Sequence, residues 1–305
     1  MNESMYKYMK VGLIYFMAYP TTMKGDNEEE ILSAIKKVAC DDYFNAIEIT
    51  WIKDEVTRNK AKKMLETSHM AIGYGGQPRL LTTGQNINDL NEEKRQIALD
   101  NLKAGIDEAY EMGAQGFAFL AGKYEEVTKE TSYEKLLAST RELCDYAASK
   151  GDMKVILEVF DYDVDKKSLI GPVELARRYA EDMRKTHDNF GLMVDLSHLP
   201  LVRETAEEAI LPIKDYIVHA HMGNAVCKDA DMEAYGDAHP RFGFPNSEND
   251  VDELTTYLKV LMDIGFLNET NPPIVSFEVK PWGDEDPDIV VANAKRTLNE
   301  AWGKL

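Results

Sequence analysis

The chain has 305 residues, of which 54 are acidic and 35 are basic, so its formal net charge is −19. Phosphate and anionic lipid are bound by clustered Lys and Arg, so this acidity argues against nucleic acid and membranes as partners. The three cysteines, Cys40, Cys144 and Cys227, are too few and too scattered for a disulfide framework. No apolar run approaches the ~18 residues of a membrane span. We expect a cytoplasmic globular protein with reduced thiols.

Short apolar segments alternate with longer amphipathic stretches along the chain. The apolar segments predict strands buried in a parallel sheet at residues 11–16, 46–51, 70–74, 116–120, 155–160, 191–196, 217–221 and 274–279. The stretches between and after them predict helices at residues 27–39, 55–67, 91–112, 132–149, 172–187, 203–210, 251–264 and 288–302. Asp26 is expected to cap the first helix, and Gly113 is expected to end the third.

Eight strands that alternate with eight helices predict parallel pairing, because parallel neighbours require a crossover connection. A doubly wound open sheet is the alternative, but eight such units over this length fit a single (β/α)8 TIM barrel over residues 1–305 better. One connection is unusually long, the loop at residues 223–248 between the seventh predicted strand and the seventh predicted helix. We interpret this loop as a lid or a partner surface at the catalytic face.

Four consecutive predicted strands carry a potential metal ligand near their carboxyl ends. These residues are Glu158, Asp195, His221 and Glu278, and each interrupts an apolar run. In a (β/α)8 barrel, strand ends converge at one mouth, where the reactive residues lie. Three carboxylates and one imidazole suit a divalent ion such as Mn, Mg, Co or Zn. The pattern therefore predicts a metal site at the mouth of the barrel.

Two further histidines accompany these ligands. His198 follows Asp195 by three residues and lies at the same rim, where it would bind a substrate oxygen or a second ion, or serve as a structural hydrogen-bonding residue. His219 precedes His221 by two residues, so it shares the inward face of the strand but lies deeper. We expect His219 to be structural.

Residues in the loops provide candidate substrate contacts. His239 and Arg241 lie in the long loop and are expected to bind substrate oxygens, with fixing of the loop as the alternative role. Trp51 and Lys280 follow strand ends and are expected to contact a sugar or a flat aglycone, with packing at the rim as the alternative. The sequence has neither a GxGxxG nor a GxxxxGK[ST] nucleotide motif and no GxSxG elbow.

The residues Glu158, Asp195-x-x-His198, His221 and Glu278 resemble those of the xylose-isomerase-like TIM barrel superfamily of sugar isomerases and epimerases. The resemblance covers nearly the whole chain. It implies that Glu158 and Glu278 bind the metal and also move protons, as the matching glutamates do in ketose 3-epimerases of that group. His198 is a further candidate for the catalytic base.

The sequence departs from the ketose 3-epimerases after the metal histidine, where they carry a Glu and an Arg and this chain reads 222-MGNAVCK-228. The endonuclease IV branch needs more than the 6 histidines present. The segments 236-GDAHPRFGFP-245 and 157-LEVFD-161 are more similar to α subunits of bacterial C-glycoside deglycosidases. That resemblance implies cleavage of 3-oxo-C-glycosides by a Mn²⁺-dependent lyase in a hetero-oligomer with a small β subunit.

Both activities begin with the same chemistry. A divalent ion that polarises a sugar ketone acidifies the neighbouring C–H and stabilises an enediolate, while a carboxylate or histidine removes the proton. An epimerase returns a proton to the opposite face, whereas a deglycosidase expels the aglycone carbon. A non-catalytic sugar-binding or scaffold barrel is the alternative of another class.

Overall fold

A computed structural model of the protein describes residues 3–305. Eight parallel strands form a closed barrel in which each strand pairs with the next along the chain and β1 pairs with β8. The strands are β1 (Lys10–Ile14), β2 (Ala46–Ile49), β3 (Ala71–Gly75), β4 (Gly116–Leu120), β5 (Lys154–Glu158), β6 (Phe190–Asp195), β7 (Ile217–Gly223) and β8 (Ile274–Glu278). The predicted (β/α)8 barrel is confirmed.

Helices surround the barrel and also frame its carboxyl-terminal mouth. The α-helices are α1 (Tyr15–Ala18), α2 (Glu28–Ala39), α3 (Glu55–Ser68), α4 (Gln77–Leu81), α5 (Glu92–Met112), α6 (Lys129–Ala148), α7 (Val173–Arg184), α8 (His198–Val202), α9 (Ala206–Ile210), α10 (Val251–Asp263) and α11 (Pro287–Lys304). Short 3-10 helices occur at Met5–Lys7, Pro20–Thr22 and Leu211–Tyr216. The short helices α1, α4 and α8 closely follow β1, β3 and β6 and were not predicted.

Several element ends differ from the prediction, and the predicted end of α5 was confirmed. The side chain of Asn27, not that of Asp26, caps α2 by accepting a hydrogen bond from the Glu30 amide at 3.3 Å. The first strand ends at Ile14 rather than at residue 16, because the chain turns into α1. Gly113 does end α5 in the left-handed conformation, with φ of 77°.

The strand side chains alternate between a large outer core and a sparsely filled barrel interior. Phe117 and Phe119 of β4 belong to the main core, between the strands and the helices. Ala118 lies between them in sequence and instead packs with Ile156 and Met193, in a small cluster of its own. Since these interior residues are few, the interior has room for polar groups and cavities.

The β7–α10 loop (residues 224–250) is held at both ends by two buried asparagines. The amide of Asn249 donates to Asn224 Oδ1 at 2.8 Å, and Asn249 Nδ2 donates to the carbonyls of Gly223 and Leu196, both at 3.1 Å. The loop also has a small apolar cluster of its own, made of Val226, Ala234 and Phe244. This segment is therefore a packed element with its ends fixed together.

Within residues 3–305, none of the helices combines the length and apolar character needed to cross a bilayer. The three cysteines are unpaired thiols, as the sequence predicts.

Candidate active site

Four strand ends bring three carboxylates and one imidazole together at the mouth of the barrel. Glu158, Asp195 and Glu278 are the last residues of β5, β6 and β8, and His221 lies two residues before the end of β7. One ligand atom from each lies within 4.8 Å of the others, and all four side chains are buried. The predicted convergence of these residues is present, and their role as metal ligands stays a prediction.

Each of these four side chains buries a polar atom that meets its neighbours among residues 3–305 in ion-pair contacts rather than in well-directed hydrogen bonds: Glu158 Oε1, Asp195 Oδ2, His221 Nδ1 and Glu278 Oε2. His221 Nδ1 lies 2.7 Å from Glu278 Oε2 and 3.4 Å from Glu158 Oε1. Buried carboxylates crowded in this way repel one another unless a positive charge compensates them. Three carboxylate oxygens and one imidazole nitrogen form a donor set that fits a divalent cation.

The electrostatics of the cluster also fit a cation. Burial raises the pKa of the Asp195 carboxyl above its usual range. Burial alone would lower the pKa of His221, but the surrounding carboxylates, Glu48 foremost, hold it well above its usual value. The cluster therefore attracts positive charge, and a divalent cation would compete with protons for it.

Glu158 is oriented by Gln77, the first residue of the unpredicted helix α4. Gln77 Nε2 donates a hydrogen bond to Glu158 Oε2 at 2.7 Å, and both side chains are buried. This contact leaves Glu158 Oε1 directed at the cluster. The sequence analysis missed Gln77, because a glutamine just before a proline in a loop has no distinctive pattern.

Glu48 on β2 is a second site residue that the sequence analysis missed. Its carboxylate accepts hydrogen bonds from His219 Nε2 at 2.7 Å and from His221 Nε2 at 3.1 Å. His219 is thus deeper than His221, as predicted, and it has a specific acidic partner. A signal for Glu48 was present, since it interrupts the apolar run 46-AIEITW-51 in the same way that Glu158 interrupts its own strand.

The β7–α10 loop adds a buried polar group beside the four strand-end residues. Asp237 Oδ1 lies 3.1 Å from His198 Nε2 and 2.9 Å from His239 Nε2, and Asp237 Oδ2 lies 2.8 Å from Lys166 Nζ. His239 Nε2 is also 3.3 Å from Glu278 Oε1. The structure thus brings both predicted histidines to the site, together with Asp237 and Lys166, which the sequence did not reveal.

The charges of this group stabilise one another. Burial alone would raise the pKa of Asp237, but His239, His198 and Lys166 hold it well below its usual value. Burial alone would lower the pKa of His239, whereas Asp237 raises it to about 9. His198 is further fixed by a contact of 2.8 Å between its Nδ1 and the carbonyl oxygen of Val159. The group is therefore preorganised beside the cluster.

Of the other predicted substrate-binding residues, Lys280 lines the mouth cavity, whereas Arg241 and Trp51 make contacts outside it. Lys280 lines the cavity at the mouth, and its amide donates to the carbonyl of His239 at 2.7 Å. Arg241 instead donates from Nε to Glu285 Oε1 at 2.8 Å and so fixes the loop. Trp51 donates from its indole nitrogen to the carbonyl of Met23 at 3.0 Å and packs at the rim. Their roles in substrate binding stay predictions.

Two cavities open on opposite ends of the barrel interior. The mouth cavity, at the carboxyl ends of the strands, has a volume of about 220 Å³. Its apolar wall consists of Ile14, Phe16, Met17, Met23, Pro78 and Leu81, and its polar side consists of Glu48, Gln77, Glu158, Lys166, His221, Asp237, His239, Glu278 and Lys280. The lower cavity, at the amino ends of the strands, has a volume of about 460 Å³ and reaches up to Glu48 and His219.

A family model described as "Xylose isomerase-like TIM barrel" matches residues 36–287. Solved structures of similar fold include D-psicose 3-epimerase from Clostridium cellulolyticum H10, with 17% identity, a TM-score of 0.69 and coverage of 96% of this chain and 98% of that one. L-ribulose 3-epimerase matches with 15% identity, a TM-score of 0.71 and coverage of 97% and 95%. The 3-keto-D-glucoside 4-epimerase from E. coli matches with 15% identity, a TM-score of 0.65 and coverage of 97% and 99%. No curated protein matches the chain in sequence.

Proposed function

Since the chain belongs to the xylose isomerase-like TIM barrel family, we propose that it is a divalent-metal-dependent sugar epimerase or isomerase that moves a proton on a carbon next to a carbonyl group. One observation carries this proposal: three buried carboxylates and one buried imidazole converge, with one ligand atom from each within 4.8 Å of the others. A scaffold barrel would not be expected to crowd so many buried ionisable groups in one place.

In the proposed site, the cation is held by Glu158, Asp195, His221 and Glu278. When bound, it would polarise a substrate carbonyl and stabilise the negative charge that develops beside it. Mn²⁺ suits the mixture of three carboxylates and one imidazole, with Mg²⁺, Co²⁺ and Zn²⁺ as alternatives. The described neighbours include two ketose 3-epimerases and a 3-keto-glucoside 4-epimerase, which supports a keto sugar as the substrate.

In the proposed reaction, two glutamates exchange protons with the substrate. Glu158 Oε1 and Glu278 Oε2 both face the cluster, 3.4 and 2.7 Å from His221 Nδ1, and come from strands separated by β6 and β7. One would remove a proton from one face of the substrate carbon, and the other would return a proton to the opposite face. Gln77 keeps Glu158 Oε1 turned inward, and His239, whose Nε2 lies 3.3 Å from Glu278 Oε1, would bind a substrate oxygen.

The second candidate is the C–C lyase activity on 3-oxo-C-glycosides, with a small β subunit as partner. The observation that favours it is the apolar wall of the mouth cavity, because a free sugar needs polar contacts and an aglycone does not. In addition, Asn224 stands in the segment where ketose 3-epimerases carry a Glu and an Arg. Its side chain is fully occupied in fixing the loop, where it donates to the carbonyl of Arg241 at 2.8 Å.

One experiment separates these functions. The purified protein, loaded with Mn²⁺, is incubated in D₂O with free ketoses and with 3-oxo-C-glycosides, and the products are followed by NMR. Deuterium uptake next to the carbonyl with inversion indicates an epimerase, and release of the aglycone, with or without a small β subunit, indicates the lyase. A protein that binds no divalent ion and exchanges no C–H proton would be a non-catalytic barrel, which would refute the proposal.

A cytoplasmic location stays a prediction.

A further inference from the structure

Beneath the four strand-end residues, Glu48 and His219 form a buried acid–base contact, here called the Glu48–His219 pair. Glu48 Oε1 lies 2.7 Å from His219 Nε2 and 3.1 Å from His221 Nε2, while Glu48 Oε2 lies 3.2 Å from His221 Nε2. The exposed fractions are 2% for Glu48, 7% for His219 and 1% for His221. One carboxylate therefore holds two imidazoles inside the barrel.

The barrel is built to accommodate this carboxylate. Burying an ionised glutamate is costly unless hydrogen bonds and opposite charges compensate it. Gly73 on the neighbouring strand makes room for it, because a Cβ atom at position 73 would lie only 2.9 Å from Glu48 Cγ. An apolar residue at position 48 would fill the same space without that cost, which points to a role for the charge.

The contact fixes the orientation of the His221 ring. A carboxylate accepts hydrogen bonds, so Nε2 donates to Glu48. The opposite ring nitrogen, Nδ1, then faces Glu278 and Glu158, at 2.7 and 3.4 Å. The orientation of the ring thus suits a cation on the far side from Glu48.

We propose that Glu48 is a positioning residue for the metal centre: it holds His221 with Nδ1 directed at the cation, and His219 in turn fixes Glu48. The inference rests on the proposed function, because it requires that His221 be a ligand. Carboxylates that orient ligand histidines in this way strengthen metal binding without contacting the ion. Glu48 is therefore placed outside the ligand set, although it belongs to a second group of potential ligands with His219 and His221.

The test requires a replacement that keeps the size of the side chain. Glu48 lines both the mouth cavity and the lower cavity, so a small residue there would join the two cavities and admit water. Glu48→Gln preserves the shape but removes the charge, and its amide can either donate to or accept from His221. His219→Gln removes the second contact and leaves Glu48 in place.

We expect Glu48→Gln to weaken Mn²⁺ binding about 10- to 100-fold, measured by calorimetric titration, and His219→Gln to weaken it less. In the Zn²⁺-loaded protein, the Nε2–H proton of His221 should give a downfield NMR signal that moves upfield in Glu48→Gln. Glu108→Gln is the matched control, since Glu108 is a buried carboxylate paired with Arg79 at 2.6 Å outside the site. It should leave metal affinity unchanged.

Three results would overturn the proposal. Wild-type affinity in Glu48→Gln would show that the carboxylate does not position His221. Loss of a second bound ion in Glu48→Gln, measured as metal stoichiometry by mass spectrometry, would show that Glu48 is itself a ligand. An equal loss of affinity in Glu108→Gln would show a general structural effect. A wild-type protein that binds no divalent ion would instead refute the proposed function, so the two failures are distinguishable.

Discussion

Replacement of Glu158 by glutamine is expected to change the response of the protein to metal more than it changes the fold. In the metal-free Glu158→Gln variant, the new side-chain amide oxygen could still accept the hydrogen bond that Gln77 Nε2 donates at 2.7 Å to Glu158 Oε2 in the wild type. The replacement also removes one of three crowded carboxylates. We therefore expect the metal-free variant to be at least as stable as the wild type.

The metal-loaded state should behave in the opposite way. Two unit charges about 4 Å apart interact by about 4 kcal/mol at an effective dielectric constant near 20, and a divalent cation doubles this to about 8 kcal/mol. We expect the Glu158→Gln variant to lose at least about 100-fold in affinity, which equals about 2.7 kcal/mol. At a free metal concentration 100-fold above the wild-type Kd, the wild type gains about 2.7 kcal/mol of stability and the variant about 0.4 kcal/mol.

Thermal unfolding with a chelator and with Mn²⁺ measures both effects. At about 2 °C per kcal/mol for a chain of this size, the wild-type Tm should rise about 5 °C with metal and the variant Tm about 1 °C. Glu108→Gln, which breaks the buried pair with Arg79, should lower the Tm in both conditions and keep the full metal-induced rise. If the wild-type Tm does not respond to divalent ions, or if Glu158→Gln keeps the full rise, the reasoning from the cluster is wrong.

Three further predictions concern the loop, the thiols and the apolar wall. Asn249→Ala should lower the free energy of unfolding by about 2 kcal/mol in denaturant titration, because two buried carbonyls lose their donor; an unchanged value would contradict the fixed loop. Native thiol titration should modify the exposed Cys40 fastest. Cys227 should react slowly, at a rate that increases with pH, because burial and Glu248 raise its pKa to about 11. Cys144 should react only after unfolding, since it is buried and burial raises its pKa strongly. Leu81→Ser should raise KM for aglycone-bearing substrates more than for free ketoses, and equal effects on both would argue against the apolar wall as an aglycone site.

The barrel and the convergence of the four strand-end residues were predictable because they depend on periodic patterns. Each of Glu158, Asp195, His221 and Glu278 is a polar residue in an apolar strand, and barrel closure alone brings strand ends together. The same rule would have found Glu48, which was overlooked because no resemblance drew attention to β2. Its role depends on Gly73, whose missing side chain is visible only in the packing of neighbouring strands.

The loop contributions were not predictable, because they arise from contacts without sequence period. Asp237 joins the site through Lys166, a residue 71 positions earlier that lies 2.8 Å away. Arg241 carries the charge expected of a substrate-binding residue, yet its guanidinium donates a hydrogen bond to Glu285 instead. Such pairings depend on where two long connections meet in space, and composition alone does not indicate them.

The β7–α10 loop has a consequence for how proteins of this kind diverge. Its ends meet at Asn224 and Asn249, so exchange or lengthening of the segment between them leaves the register of β7 and α10 intact. The same segment delivers Asp237 and His239 to the mouth. Substrate range in related proteins can therefore evolve by replacement of one self-contained insert, while the strand-end residues and the barrel beneath them remain as they are.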